Sequence, residues 1–88
     1  MPDERSPVQR ALVLHRVDPE LRVARFYALM IEQDLFGTIL LVRNWGRIGT
    51  KGQELVQEFA SEGEAQEVLE ALARTKLRRG YQDLGENS

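Results

Sequence analysis

The chain has 88 residues, of which 42% are hydrophobic and 30% are charged, and its formal net charge at pH 7 is −2. Such a composition is typical of one ordinary globular domain with a modest hydrophobic core. The chain has no cysteine and only one histidine, which excludes disulfides, thiol catalysis and Cys- or His-rich metal sites within one chain, and we expect neither a cofactor nor a metal ion.

The first ten residues, MPDERSPVQR, combine both signs of charge with two prolines, and we expect residues 1–10 to form a flexible arm. They have neither the basic start nor the apolar run of a secretory signal. The apolar stretches, such as residues 26–31 and 39–42, are far shorter than the roughly 20 residues that span a membrane. We therefore expect a cytoplasmic protein without a membrane partner, which also fits the absence of cysteine.

The first predicted strand covers residues 11–17, where the side chains alternate between two faces. An Asp-Pro turn at residues 18–20 closes this strand, because that dipeptide disfavours continued regular structure. Residues 24–33 predict a second strand, in which both alternating sets of side chains are largely apolar. Apolar residues on both faces are typical of a central strand that is covered on part of each face.

The third predicted strand covers residues 38–45 and follows a connection of only a few residues, which suits an antiparallel hairpin. Residues 46–52 are expected to form a glycine-rich loop after it. A fourth strand is predicted over residues 53–59. Its many Glu and Gln side chains indicate an edge strand or a solvated face.

The periodicity changes from strand to helix after residue 60. Ser61 and Glu64 form a capping box, in which each side chain bonds an otherwise unpaired backbone N–H at a helix N-terminus. Glutamates in the first turn and cations in the last turn complement the helix dipole. Gly80 is placed to end the helix, and residues 81–84 are expected to add a short final strand. The apolar residues at helical spacing are Ala65, Val68, Leu69, Leu72 and Ala73.

Together these elements predict an α+β fold, a small antiparallel sheet of four to five strands with one α-helix packed on one face. The domain is expected to cover residues 11–84, and residues 85–88 are expected to fray. No repeat and no internal domain boundary is visible in the sequence.

Charge is concentrated in segments of the chain. Residues 43–53 hold three cations and no acid, residues 54–73 hold six glutamates and no cation, and residues 74–79 hold four cations and no acid. Helix stabilisation alone explains cations in the last run, since they complement the dipole there. Arg78 and Arg79 would join a binding surface only if the fold brings them beside the glycine-rich loop.

Trp45 is the only tryptophan, and it stands at a predicted strand end beside Asn44, Gly46 and Arg47. Large aromatic residues are mostly buried, so one interpretation places the ring in the core. The other places it at the sheet rim, where it stacks on a sugar or base while guanidinium groups hold phosphate. The polar and small neighbours of the ring favour the second interpretation.

Three glycines, Gly46, Gly49 and Gly52, punctuate the loop that follows Trp45. They allow a tight turn with positive φ, a close approach of a ligand to the backbone N–H groups, or both. The loop is a weak match to a nucleotide-phosphate loop, because Lys51 lacks the G-x-x-x-x-G-K-[ST] frame around it.

Catalysis is not expected from the remaining residues. His15 is the one candidate base for a Ser/His/acid triad, and no nucleophile turn accompanies it. A solvated helical face explains the glutamates of residues 62–70 without any general acid or base. We therefore expect a protein that is not an enzyme.

Around Trp45 the chain resembles the WGR domain, named for the tripeptide that stands here as Trp45-Gly46-Arg47. RFYALMI resembles the family's KFY strand, and GRIGTKGQ resembles its GRVG…GQ loop. FASEGEAQ resembles the family's helix start, and RTKLRRGYQDL resembles its K…GY ending. The ordered set runs from about residue 11 to residue 84, nearly the whole chain. The resemblance implies a small antiparallel sheet with one helix, in a stand-alone module of the bacterial type.

In eukaryotic poly(ADP-ribose) polymerases this domain binds DNA ends, with the tryptophan of the motif on a terminal sugar. The resemblance therefore implies that Trp45 stacks and that Arg47 contacts phosphate or a neighbouring domain, with Lys51 and Gln53 as further contacts in the loop. The catalytic ADP-ribosyltransferase domain is not part of this sequence, so its activity does not transfer.

The sequence thus predicts a non-catalytic module that binds nucleic acid, DNA rather than RNA, at ends or breaks. Trp45 would stack, while Arg43, Arg47 and Lys51 would contact phosphates. The alternative is a protein-interaction adaptor that uses the same Trp/Arg surface, because these residue types are enriched in interface hot spots.

Overall fold

A computed structural model describes residues 8–83 of the chain. It confirms the α+β fold, with a five-stranded antiparallel sheet and one helix packed against it. No helix within residues 8–83 is long and apolar enough to cross a membrane. The elements in chain order are β1 (Val8–Asp18), β2 (Val23–Gln33), β3 (Ile39–Arg47), β4 (Gln53–Phe59), α1 (Glu62–Arg78) and β5 (Gln82–Asp83).

The strands follow one another in the sheet in the order β4-β3-β2-β1-β5, and every neighbouring pair is antiparallel. Short turns join β1 to β2, β2 to β3 and β3 to β4, so consecutive strands lie side by side. The sequence interpretation of β2 as a central strand and β4 as an edge strand is confirmed. Tyr27, Leu29 and Ile31 of β2 are buried under the helix, and the other face of this strand is half-buried.

Two strands extend by two or more residues beyond their expected bounds. β1 begins at Val8, so residues 8–10 belong to the sheet and not to the arm expected over residues 1–10. β3 continues through Gly46 to Arg47, where a loop was expected, because these two residues still pair with Phe26 and Arg25 of β2. The rest of the expected arm and the expected fraying of residues 85–88 lie outside the described residues.

The helix begins and ends where its capping residues predict. Ser61 is the N-cap, and its Oγ accepts a hydrogen bond from the backbone N–H of Glu64 at 3.2 Å. At the other end Gly80 adopts a left-handed conformation with φ of 97°, which lets the chain leave the helix. Ala65, Leu69 and Ala73 form the buried stripe of the helix.

The hydrophobic core lies between α1 and one face of the sheet, which we call the helix face. The helix starts directly after β4 and ends beside β1, where a Cβ atom placed on Gly80 would lie 3.4 Å from Nε of Arg16. It therefore crosses the sheet diagonally and leaves the corner where β3 meets the β3–β4 loop less covered. Leu55 of β4 is accordingly 42% exposed on this face. The largest fully buried side chains are Leu14, Leu29, Ile31, Leu41 and Leu69.

Candidate functional site

Trp45 lies at the less covered corner of the helix face. It pairs across the sheet with Tyr27, and the centroids of the two rings are 6.2 Å apart at an interplanar angle of 35°. Tyr27 is only 3% exposed, whereas Trp45 is half-buried and packs against the edge of the core. The indole therefore contributes to the core with one part of its ring and reaches solvent with another.

Arg43 lies beside this ring in a fixed position. Its guanidinium carbon is 6.0 Å from the centroid of Trp45, a distance that allows a cation–π interaction. Its Nε donates a hydrogen bond to Oη of Tyr27 at 3.1 Å, and its Nη1 donates to Oε1 of Gln57 at 3.4 Å. A cation with two acceptors of this kind orients the aromatic pair and keeps other N–H groups for a ligand.

Arg47 and Gln53 complete the corner from two strands. Alternation along β3 places Arg47 on the same face as Arg43 and Trp45, and Gln53 lies directly across from Trp45 on β4. Both side chains are exposed. The structure therefore brings together four of the five predicted binding residues, which we call the Trp45 face: Arg43, Trp45, Arg47 and Gln53.

Lys51, the fifth predicted residue, is exposed in the loop between β3 and β4. The side-chain amide of Asn44 holds this loop, since Nδ2 donates to the carbonyl oxygens of Lys51 at 3.2 Å and Gln53 at 2.7 Å. The hydroxyl of Thr50 donates to the carbonyl of Arg47 at 2.8 Å. The loop is thus tied to both strands next to the Trp45 face.

The three glycines of the loop serve the turn in different ways. Gly49 and Gly52 have φ of 97° and 72°, the left-handed region that favours glycine. Gly46 instead allows close packing, because a Cβ atom placed on it would lie 2.7 Å from Cα of Gly52. The expected need for positive φ therefore holds for two of the three.

Lys76 of α1 belongs to the same surface, although the sequence interpretation attributed it to helix stabilisation. Its Nζ lies 4.5 Å from the ring centroid of Tyr27 and 5.4 Å from that of Tyr81. Burial, followed by the charges of Arg79, Arg43 and Arg25, lowers the pKa of Lys76 from its ordinary value of 10.5. Cations of β2, β3 and α1 therefore converge beside Trp45.

The charge of Arg79, one helical turn from Lys76, also acts on that side chain, whereas Arg78 is not among the charges that do. Arg25 was missed by sequence reasoning, because only the register of β2 against β3 shows that it lies across from Arg47. The K…GY pattern at the end of the helix was the one signal that could have identified Lys76 and Tyr81 as a pair.

The chemistry of this surface is that of an aromatic ring among fixed and exposed cations. Such an arrangement can bind anionic groups and can present a flat apolar surface to a sugar or base. Within residues 8–83, no group of three or more His, Cys, Asp or Glu side chains is arranged to hold a metal ion.

Comparison with known proteins gives one family and two relatives. The model of the WGR domain family matches residues 10–88. The chain is 50% identical over 70 residues to the uncharacterized protein y4dW of Sinorhizobium fredii, a match that covers 80% of this chain and 34% of that protein. A crystal structure of a Bacteroides fragilis protein is similar with a TM-score of 0.70 and 26% identity, over 86% of this chain and 20% of that one. The chain therefore spans about a third and a fifth of the lengths of these two relatives.

Proposed function

The chain belongs to the WGR domain family, a family of nucleic-acid-binding modules, and on this premise we propose that it binds DNA at ends or breaks through the Trp45 face. The observation that carries the proposal is the position of Trp45, whose half-buried ring is anchored on Tyr27 and still reaches solvent between cations. An anchored ring loses little conformational entropy when a ligand stacks on it.

Stacking on a side chain requires a nucleotide whose sugar or base is accessible. Inside a continuous duplex each base is covered by its neighbours, and unstacking it costs a few kcal/mol. At an end or a break one such surface is already exposed, so Trp45 can contact it without that cost. A rim tryptophan therefore favours ends and breaks over the interior of a duplex.

The cations have different roles in binding the DNA strand. Arg47 and Lys51 are exposed and reach outward, so we assign them to phosphate contacts. Arg43 is tied to Tyr27 and Gln57, and we assign it to orienting Trp45 and to contacting phosphate with its remaining N–H groups. A compact group of cations also suits a protein of net charge −2, which has few charges for tracking along a groove.

Binding of DNA ends is tested with a closed duplex circle and the same circle cut once. At low salt we expect the wild-type protein to bind the cut circle at least tenfold more tightly, since one stacked base contributes roughly 1–3 kcal/mol. Trp45→Phe keeps an aromatic ring and should weaken this preference only in part, whereas Trp45→Leu should abolish it. Arg74→Gln removes an exposed cation elsewhere on α1 and serves as the matched control. Equal affinity for the closed circle and the cut circle would exclude end recognition.

One observation favours a second candidate, the protein-interaction adaptor. Leu55 lies across from Arg43 on the helix face and is 42% exposed, which adds an apolar group to the Trp/Arg surface. Salt separates the two functions, because phosphate contacts release counterions and weaken steeply with salt. If low-salt binding assays detect no affinity for any DNA or RNA, the adaptor becomes the better account of the Trp45 face.

A further inference from the structure

Three arginines form a row across the end of the helix face. Arg16 of β1 pairs with Arg25 of β2, and Arg25 pairs with Arg47 of β3. We call these three residues the arginine row, which is about 10 Å long because neighbouring strands lie roughly 4.8 Å apart. Like charges directly opposite each other destabilise a sheet. The stability of the sheet therefore does not explain the row.

The C-terminus of α1 explains the presence of a cation at only one position of the arginine row. A Cβ atom placed on Gly80 would lie 3.4 Å from Nε of Arg16, so Arg16 adjoins the C-terminus of α1, where the helix dipole favours a cation. Arg25 and Arg47 lie one and two strands further away and are both exposed. The helix dipole therefore does not explain why Arg25 and Arg47 lie side by side.

The acids on the same face adjoin the Arg16 end of the row. Asp18 follows Arg16 on β1, and its carboxylate accepts a hydrogen bond from the backbone N–H of Leu21 at 3.3 Å. Asp83 of β5 pairs with Leu14. The positive charge of the row is therefore greatest toward Arg25 and Arg47, where it meets the Trp45 face.

We propose that the arginine row holds the phosphates of a single-stranded extension at a DNA end, while Trp45 contacts the nucleotide where the duplex stops. The inference rests on the proposed function and names its preferred substrate, an end with an overhang rather than a blunt end. The row starts two residues beyond Trp45 on β3. Its three guanidinium groups can each contact one phosphate of a short extension.

The shape of this region selects one strand over two. The Arg16 end of the row adjoins Gly80 at the end of α1, and the helix, about 10 Å across, stands on the sheet there as a step. A flexible single strand can follow the foot of this step. The second strand of a duplex laid along the row would meet the end of the helix.

The test compares a blunt duplex with the same duplex extended by about three unpaired nucleotides on either the 5′ or the 3′ strand. We expect an extension of at least one polarity to increase affinity about tenfold. Arg16→Gln and Arg25→Gln should each remove most of this gain and lower the salt slope for the extended duplex by about 0.7, the value for one single-strand phosphate. Arg16→Gln should change the affinity for the blunt duplex less than twofold, and Arg74→Gln should change neither affinity.

A second probe makes the same test without altering the protein. An extension with uncharged methylphosphonate linkages keeps its bases and sugars but offers the row no charge, so it should bind like the blunt duplex. If both extensions bind no better than the blunt end, or if the uncharged extension keeps the gain, the inference is wrong while end binding stands. A wild-type protein that binds none of these duplexes contradicts both the inference and the proposed function.

Discussion

The Trp45 side chain has two parts that lie in different surroundings. The part against Tyr27 belongs to the edge of the core, and the part at the surface is free to meet a ligand. Variants of Trp45 therefore change stability as well as binding, and Trp45→Phe is more informative than Trp45→Ala because it retains most of the packing.

Lys76 gives a prediction for pH dependence at the residue scale. Because the pKa of Lys76 is lowered in the folded protein, the unfolded chain binds its proton more tightly. The free energy of unfolding should therefore rise with pH between the lowered pKa and 10.5, and this gain is absent below that window. Urea unfolding from neutral pH to pH 10.5 measures the rise.

Lys76→Met is the matched variant, since it keeps an unbranched stem on Tyr27 and Tyr81 and removes the charge. The rise in stability that Lys76 causes should be missing from this variant. Parallel curves of unfolding free energy against pH for the two proteins would show that the charge is not disfavoured in the folded state.

Sequence reasoning found the residues of the site that are close together along the chain. Arg43, Trp45 and Arg47 alternate along one strand, so a strand assignment alone places them on one face. Arg25 and Lys76 come from other elements, and nothing local to either residue marks it as part of the site. Their proximity follows from the β2–β3 register and from the angle at which the helix crosses the sheet.

At the scale of elements, the β3–β4 loop decides where Trp45 lies. A Cβ atom placed on Gly52 would overlap the carbonyl oxygen of Trp45 and lie 2.8 Å from Cζ of Phe26, at a φ of +72°. At Gly49 the φ is +97° and nothing lies within 4 Å of such an atom. Alanine substitutions at Gly49 and Gly52 therefore distinguish the free-energy cost of a left-handed backbone from the additional cost of steric overlap.

We expect Gly49→Ala to lower the free energy of unfolding by about 1–2 kcal/mol, the cost of a left-handed residue with a Cβ atom. Gly52→Ala should lose roughly 1–3 kcal/mol more, because backbone and Phe26 must also shift. It should weaken DNA binding as well, since the shift moves Trp45. Chemical denaturation and a binding titration of both variants check this, and equal losses of stability would contradict the overlap.

The elements were more predictable than their ends. Alternation and the capping residues identified four strands, a helix and a short fifth strand, because each pattern is local. The end of β3 was placed too early because Gly46 resembles a loop residue, yet it continues the strand against Phe26 and packs on Gly52. Whether a glycine ends a strand depends on its partners across the sheet, and a single sequence does not contain this information.

At the scale of the whole molecule, we expect the positions of the charges to govern anion binding more than the net charge does. The chain has a net charge of −2, yet Arg43 and Lys76 lie beside the Tyr27–Trp45 ring pair, and Arg47 follows on the same face of β3. The ion pair between Arg10 and Glu70, at 3.8 Å, lies further along the helix face. The attraction of this surface for an anion should therefore depend on the nearby cations and not on the sign of the net charge.

This predicts a steep dependence of DNA affinity on salt. With about three phosphates held, the slope of log K against log salt concentration should be close to −2.7. Arg47→Gln should reduce its magnitude by about 0.9, whereas Arg10→Gln should leave it unchanged because Arg10 already pairs with Glu70. A flat salt dependence would contradict phosphate contacts at this surface.

The fluorescence of Trp45 tests the central claim most directly, because Trp45 is the only tryptophan in the chain and no substitution is needed. A short duplex with free ends is titrated into the wild-type protein, while binding is followed in parallel by the anisotropy of labelled DNA. Stacking predicts that the Trp45 emission is quenched with the same midpoint as the anisotropy change. DNA binding that leaves the emission unchanged would contradict the stacking role of Trp45.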